Sequence, residues 1–77
     1  MKALLKAMKA TFRALLTPNE IRIMKLVAGG KTSREIAEIL NRSIRTIENH
    51  RQLIYVKLDV HTAAEAVKVC MHEQLIN

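Results

Sequence analysis

A chain of 77 residues leaves room for one domain, and with one Tyr, one Phe and no Trp its core must be aliphatic. The formal charge of +6 asks for a polyanionic partner, either nucleic acid or an anionic membrane surface. One cysteine and no apolar run of about 18–20 residues exclude a disulfide scaffold and a membrane span, so a cytoplasmic protein is expected.

The first predicted element is an amphipathic helix or linker over residues 1–15. At 3.6 residues per turn, Leu4, Leu5, Met8, Phe12, Leu15 and Leu16 share one side, with Lys2, Lys6, Lys9 and Arg13 in a stripe beside it. Four cations are few for stable membrane binding, so this helix is expected to pack on the domain or on a second copy. Thr17-Pro18-Asn19-Glu20 then opens a helix with a capping box and a Pro in the first turn. That helix buries Ile23, Met24 and Val27 and stops at Gly29-Gly30, where a left-handed cap costs little. Thr32-Ser33-Arg34-Glu35 is a second capping box, opening a helix with Ile36, Ala37 and Leu40 inward and Asn41 able to cap its end.

Ser43 caps a third predicted helix running from about Ile44 to Leu58. Thr62-Ala63-Ala64-Glu65 is a third box and opens a last helix through about His72, with Val67 and Met71 expected to cover the core. No strand alternation and no internal repeat interrupts this series, so the fold class is all-α. Residues 32 to 58 make a helix, a tight turn and a longer helix, the unit that places a helix in the DNA major groove. On the longer helix Ile47, Ile54 and Leu58 cluster on one side, flanked by His50 and Lys57. Nearly opposite lie Arg45, Glu48, Asn49, Gln52 and Val56. Arg, Asn, Gln and Glu make directional hydrogen bonds to base edges, whereas a merely solvated face is usually dominated by Lys and Glu.

The run from Leu16 to Val60 resembles the LuxR-type (GerE-like) DNA-binding domain that ends many bacterial response regulators and quorum-sensing regulators. The resemblance covers about residues 16–77 and rests on Leu16-Thr17, Glu20, Gly30, Glu35-Ile36-Ala37, Leu40, Ser43, Thr46-Ile47, His50, Ile54, Lys57-Leu58, Val60 and Ala66-Val67. It implies a four-helix LuxR-type helix-turn-helix domain, preceded here by the extra N-terminal helix. The third helix would be the recognition helix and the fourth the dimer contact. Asn41 and Asp59 stand where the family usually has Gly, and both residue types tolerate a left-handed turn. Arg42 replaces a usual small aliphatic residue, and Ala63 stands near a usual Arg or polar residue.

The resemblance implies base reading by Glu48, Asn49 and Gln52. Asn and Gln suit adenine, and Glu suits a cytosine amino group. A local role for Glu48, pairing with Arg45 or Arg51, stays open beside it. Phosphate contacts are expected from Thr32, Ser33, Arg34, Ser43, Arg45, Thr46, Arg51 and Lys57, aided by the N-termini of the second and third helices. Thr32 and Ser43 act as caps in the same reading. A weak homodimer is expected through Ala63, Ala66, Val67 and Cys70, of which Ala63, Ala66 and Cys70 share a side and are small enough to let two copies approach.

His50 reads as a packed, hydrogen-bonded histidine, with a phosphate contact as the alternative. The three histidines and Cys70 lack metal-ligand spacing, and no cofactor is implied. No nucleophile–base pair or phosphate-binding glycine loop suggests an enzyme. The expected function is sequence-specific, dimeric binding of double-stranded DNA for transcription regulation in the bacterial nucleoid, with RNA polymerase as a candidate further partner. Two alternatives are a sigma-factor region-four-like domain and a protein-interaction module that pairs with another regulator and blocks it.

Overall fold

The computed structural model describes residues 16–76 as four helices with no strand among them: α1 (Pro18–Ala28), α2 (Ser33–Leu40), α3 (Ile44–Leu58) and α4 (Ala63–His72). The amphipathic helix expected over residues 1–15 lies outside the described residues. Leu16, expected on that helix's apolar side, is non-helical and buried in the core of the four-helix unit. It precedes the cap Thr17, and Ile21 four residues into the fold also packs on the core, the two positions of a hydrophobic staple.

The helix starts follow the capping chemistry. Thr17 Oγ1 accepts from the Glu20 N–H at 3.2 Å, and the Glu20 carboxylate accepts from the Thr17 N–H at 2.7 Å. Thr32 and Glu35 repeat the exchange at 3.2 and 2.9 Å. The third box is only half formed. Thr62 Oγ1 accepts from the Glu65 N–H, but the Glu65 carboxylate takes the Thr62 hydroxyl at 3.1 Å and the His61 N–H at 3.4 Å. Thr62 has φ −132°, against −74° and −79° at Thr17 and Thr32.

All four helices end in the same way. The N–H of the residue after a left-handed position bonds back five residues: Lys31 to Leu26, Arg42 to Ala37, Val60 to Tyr55 and Leu75 to Cys70, at 2.8–3.0 Å. The left-handed positions are Gly30, Asn41, Asp59 and Gln74. At the first of these stops Gly30, not Gly29, takes the positive φ, at 85°. These are Schellman endings, and they satisfy the carbonyls that a helix C-terminus would leave open.

The core that these devices close is aliphatic. Ile23, Met24, Ile36, Ile47, Ile54, Ala66 and Cys70 are completely or almost completely buried, joined by Leu16, Val27, Ala37, Leu58 and Ile76. Leu40 is only partly covered. α1 packs on α2, α3 and α4, while the most extensive contact among the four described helices joins α2 to α3. That contact, with the turn Asn41–Ser43, holds the two helices as one unit and leaves a long side of α3 facing outward.

Candidate nucleic-acid interface

The start of α3 is built from hydroxyls. Ser43 Oγ accepts from the Thr46 N–H at 3.1 Å and lies 2.8 Å from Thr46 Oγ1. α3 has no acidic residue in its first turn, whereas α1, α2 and α4 carry Glu20, Glu35 and Glu65 there. Unopposed N–H groups and a helix dipole favour an anion at such a start. Arg45 is exposed beside it. At the start of α2, the Glu35 carboxyl is held below its ordinary range by hydrogen bonds from the Thr32 backbone and side chain. A phosphate near Thr32 would therefore sit beside a negative charge.

The outward side of α3 is as the helical wheel placed it. Arg45, Glu48, Asn49, Gln52 and Val56 are all exposed. None of the four polar side chains among them makes a hydrogen bond to another described residue. Glu48 pairs with neither Arg45 nor Arg51, since the one ion pair among the described residues joins Lys57 to Glu20.

The inward flank is different. Lys57 Nζ donates to both oxygens of the Glu20 carboxylate, at 2.9 and 3.0 Å. Glu20 is 2% exposed, so this pair ties the end of α3 to the start of α1 in a largely dry setting. Burial raises the Glu20 carboxyl, but the Thr17 backbone N–H and the Lys57 ammonium outweigh it, and its pKa lies below the ordinary 4.5. Arg51 is committed as well. Its Nε and Nη2 donate to the Tyr55 hydroxyl at 3.1 and 2.9 Å, and Nη1 donates to Ser33 Oγ at 3.0 Å. The guanidinium lies 6.0 Å from the Tyr55 ring centroid, and these bonds hold it at the ring's hydroxyl edge.

Of the residues expected to contact phosphate, Ser43, Arg45 and Thr46 are therefore grouped at the start of α3, and Thr32 and Arg34 are exposed at the start of α2. Ser33 is buried and Arg51 half-buried, bonded to each other, and Lys57 has its charge engaged by Glu20. The Glu20–Lys57 and Ser33–Arg51–Tyr55 links were missed by sequence reasoning. Glu20 already had a role as the third residue of a capping box, and nothing in a one-dimensional pattern joins it to a residue 37 positions away. The Arg51–Tyr55 half of the second link has i, i+4 spacing and was available as a signal.

The expected dimer residues need correction. Ala66 and Cys70 have no exposed surface, because α4 turns them into its own core and uses their small volume to approach α1 and α3. Burial also raises the Cys70 thiol pKa. Ala63 and Val67 are half-buried, and Met71, expected to cover the core, is 51% exposed. The accessible apolar edge of α4 is thus Ala63, Ala64, Val67 and Met71. His50 is half-buried and makes no hydrogen bond to another described residue, which departs from the expected bonded histidine. Among the described residues no group of three His, Cys, Asp or Glu is placed to hold a metal ion, and no helix is long and apolar enough to cross a membrane.

Comparison with known proteins places these features in context. The model of bacterial regulatory proteins of the luxR family matches residues 14–70. The chain is 46% identical over 56 residues to the uncharacterized response regulatory protein YgeK of Escherichia coli. It is 42% identical over 53 residues to the tetrathionate response regulatory protein TtrR of Salmonella typhimurium, and 39% identical over 62 residues to the transcriptional regulatory protein LiaR of Bacillus subtilis. These matches take in 73%, 69% and 80% of this chain but only 38%, 26% and 29% of those proteins.

Proposed function

Because this chain belongs to the luxR family of bacterial regulatory proteins, a family of DNA-binding transcription regulators, we propose that it binds a specific duplex sequence as a dimer, with α3 in the major groove. The observation that carries this reading is the outward side of α3. Arg45, Glu48, Asn49 and Gln52 are exposed with no described partner, while Arg51 and Lys57 on the helix's other flank are engaged. Asn49 and Gln52 supply the donor–acceptor pair that matches adenine, and Glu48 an acceptor for a cytosine amino group. Ser43, Arg45 and Thr46 at the helix start, with Thr32 and Arg34, hold the backbone and so set the register of the helix in the groove.

Dimerisation is assigned to the edge of α4 formed by Ala63, Ala64, Val67 and Met71. The strip is narrow, so association without DNA is weak, and paired half-sites about one helical turn apart bring two copies together. The protein acts on bacterial DNA in the cytoplasm and changes transcription by occupying such sites.

The test is a titration against random duplex and against a pool selected for tight binding, at several salt concentrations. Enrichment of a two-fold symmetric sequence, bound at least about a thousandfold more tightly than random duplex, is the expected result. A folded protein that binds no DNA at low salt would overturn the proposal and turn attention to a protein-interaction role.

A further inference from the structure

On α3, Thr46, Asn49, Leu53 and Val56 follow one another at spacings of three and four, so they form one stripe along the helix. The stripe begins with a hydroxyl and an amide and continues with two exposed apolar side chains, Leu53 at 48% and Val56 at 75% exposure. Single exposed apolar residues are ordinary on any surface. Leu53 differs because it forms one wall of a shallow hollow of about 230 Å³ whose other walls are Thr46, Asn49 and His50. A groove-facing amide and an apolar wall thus share one depression, with the Thr46 methyl-bearing side chain at its other end.

Resting on the major-groove reading above, we infer that this hollow receives the C5-methyl group of a thymine, which makes Leu53 a determinant of sequence preference. Thymine is the one base that presents an apolar group in the major groove, and apolar side chains recognise it there. Leu53 lies one helical turn beyond Asn49, about 5–6 Å between side-chain origins. Base pairs are stacked 3.4 Å apart. The thymine is therefore within two base pairs of the position that Asn49 reads. Leu53 loses water from its exposed half when the methyl enters, and no polar group of Leu53 is left unsatisfied. A base edge with a hydrogen at that position covers less of the exposed half of Leu53, and a cytosine amino group placed against Leu53 loses a hydrogen bond to water without replacement.

The experiment uses the full chain and its selected duplex. Each thymine of a half-site is replaced in turn by deoxyuridine, which removes the methyl group and keeps the pairing edge. The expected result is a loss of about threefold to tenfold in affinity at one thymine within two base pairs of the Asn49 contact, the size of one buried methyl group. Leu53→Ala is expected to bind the thymine duplex more weakly by a similar factor and to lose the distinction between thymine and uracil. Leu53→Met keeps the volume and is expected to keep the distinction. Because Leu53 is half exposed, both variants should melt within a few degrees of the parent, which thermal denaturation checks.

Tight, sequence-selective binding by the parent with no uracil effect near the Asn49 position overturns the inference alone. So does a Leu53→Ala variant that still distinguishes the two bases to the same degree. Absence of selective binding by the parent instead removes the major-groove reading, and with it this one.

Discussion

Arg45 and Arg51 are the same residue type on the same helix, yet they stand in opposite circumstances. Arg45 is exposed beside a helix start that has a Ser cap but no acidic residue, and its side chain bonds to no described residue, whereas Arg51 is locked between Ser33 and Tyr55. Lys57, another cation on α3, is neutralised by a carboxylate that is itself almost wholly buried. The outward side of α3 therefore carries side chains with unused hydrogen-bonding capacity, and the inward flank carries side chains that hold three helices in register. Residue type alone does not separate the two groups. Their partners do: Glu20 comes from α1, Ser33 from α2 and Tyr55 from the next turn of α3 itself.

The sharpest way to break this comparison is to remove Glu20. Glu20→Ala takes away half of a capping box and leaves the Lys57 ammonium half-buried and unpaired, a loss of about 2–4 kcal/mol. A domain of this size has only about 5–10 kcal/mol in all. Thermal unfolding should show a drop of roughly 10–20 °C. If the melting temperature holds, Lys57 is not a strut, and its place among phosphate contacts returns.

The outward side should answer in a different assay. Asn49→Ala and Gln52→Ala should each weaken the selected duplex by about 1–3 kcal/mol while the melting temperature stays within a few degrees. Arg45→Ala should lower the salt slope of binding by about 0.9, the amount expected for one lost phosphate contact. Lys57→Met, measured well below its melting temperature, should leave that slope unchanged because Glu20 already balances the charge. Equal slopes for Arg45→Ala and the parent, or a reduced slope for Lys57→Met, would erase the division between the two flanks.

Acid should separate them too. Glu20 and Glu35 have carboxyls lowered from the ordinary 4.5 in the folded protein. Below that value the unfolded chain takes up protons that the folded one still refuses, so the stability contributed by these two carboxylates is present above about 5 and falls as pH drops from there through the lowered native range. Glu20→Gln should be less stable at neutral pH and should show a shallower acid slope in denaturant titrations. An unchanged slope would mean that the Glu20–Lys57 pair contributes nothing in solution.

These tests also mark how far the fold was legible without coordinates. Each helix start could be read because a cap and its partner lie three residues apart in the chain, and α1, α2 and α3 begin where Thr17, Thr32 and Ser43 place them. The inward residues of α3 followed from periodicity, since Ile47, Ile54 and Leu58 share one side of any helix. The side of α4 was misjudged. Its Ala, Val, Cys and Met residues encircle much of the helix, so periodicity leaves its rotation undetermined, and packing against α1 and α3 turned Ala66 and Cys70 inward. The struts were illegible for a related reason. A polar residue in a helix announces its charge but not the distant group that will meet it.

The smallest effects lie at the helix ends, where the four stops share one geometry but not one residue type. Gly30 occupies its left-handed position at no steric cost, while Asn41, Asp59 and Gln74 hold φ values of 55–59° with a side chain attached. Gln is the least suited of the three, since Asn and Asp can hydrogen-bond locally in that conformation. Gln74→Gly should therefore stabilise the fold by about 0.5–1 kcal/mol, and Asp59→Gly by somewhat less. Gly30→Ala should destabilise it by about 1 kcal/mol although no atom lies within 4 Å of the added Cβ, because the cost is in the backbone and not in a clash. Chemical denaturation of the three variants orders them. If Gly30→Ala is neutral, the Schellman ending of α1 does not set the turn into α2, and the placement of α1 and α2 against α3 rests on core packing and on the Glu20–Lys57 and Ser33–Arg51 links.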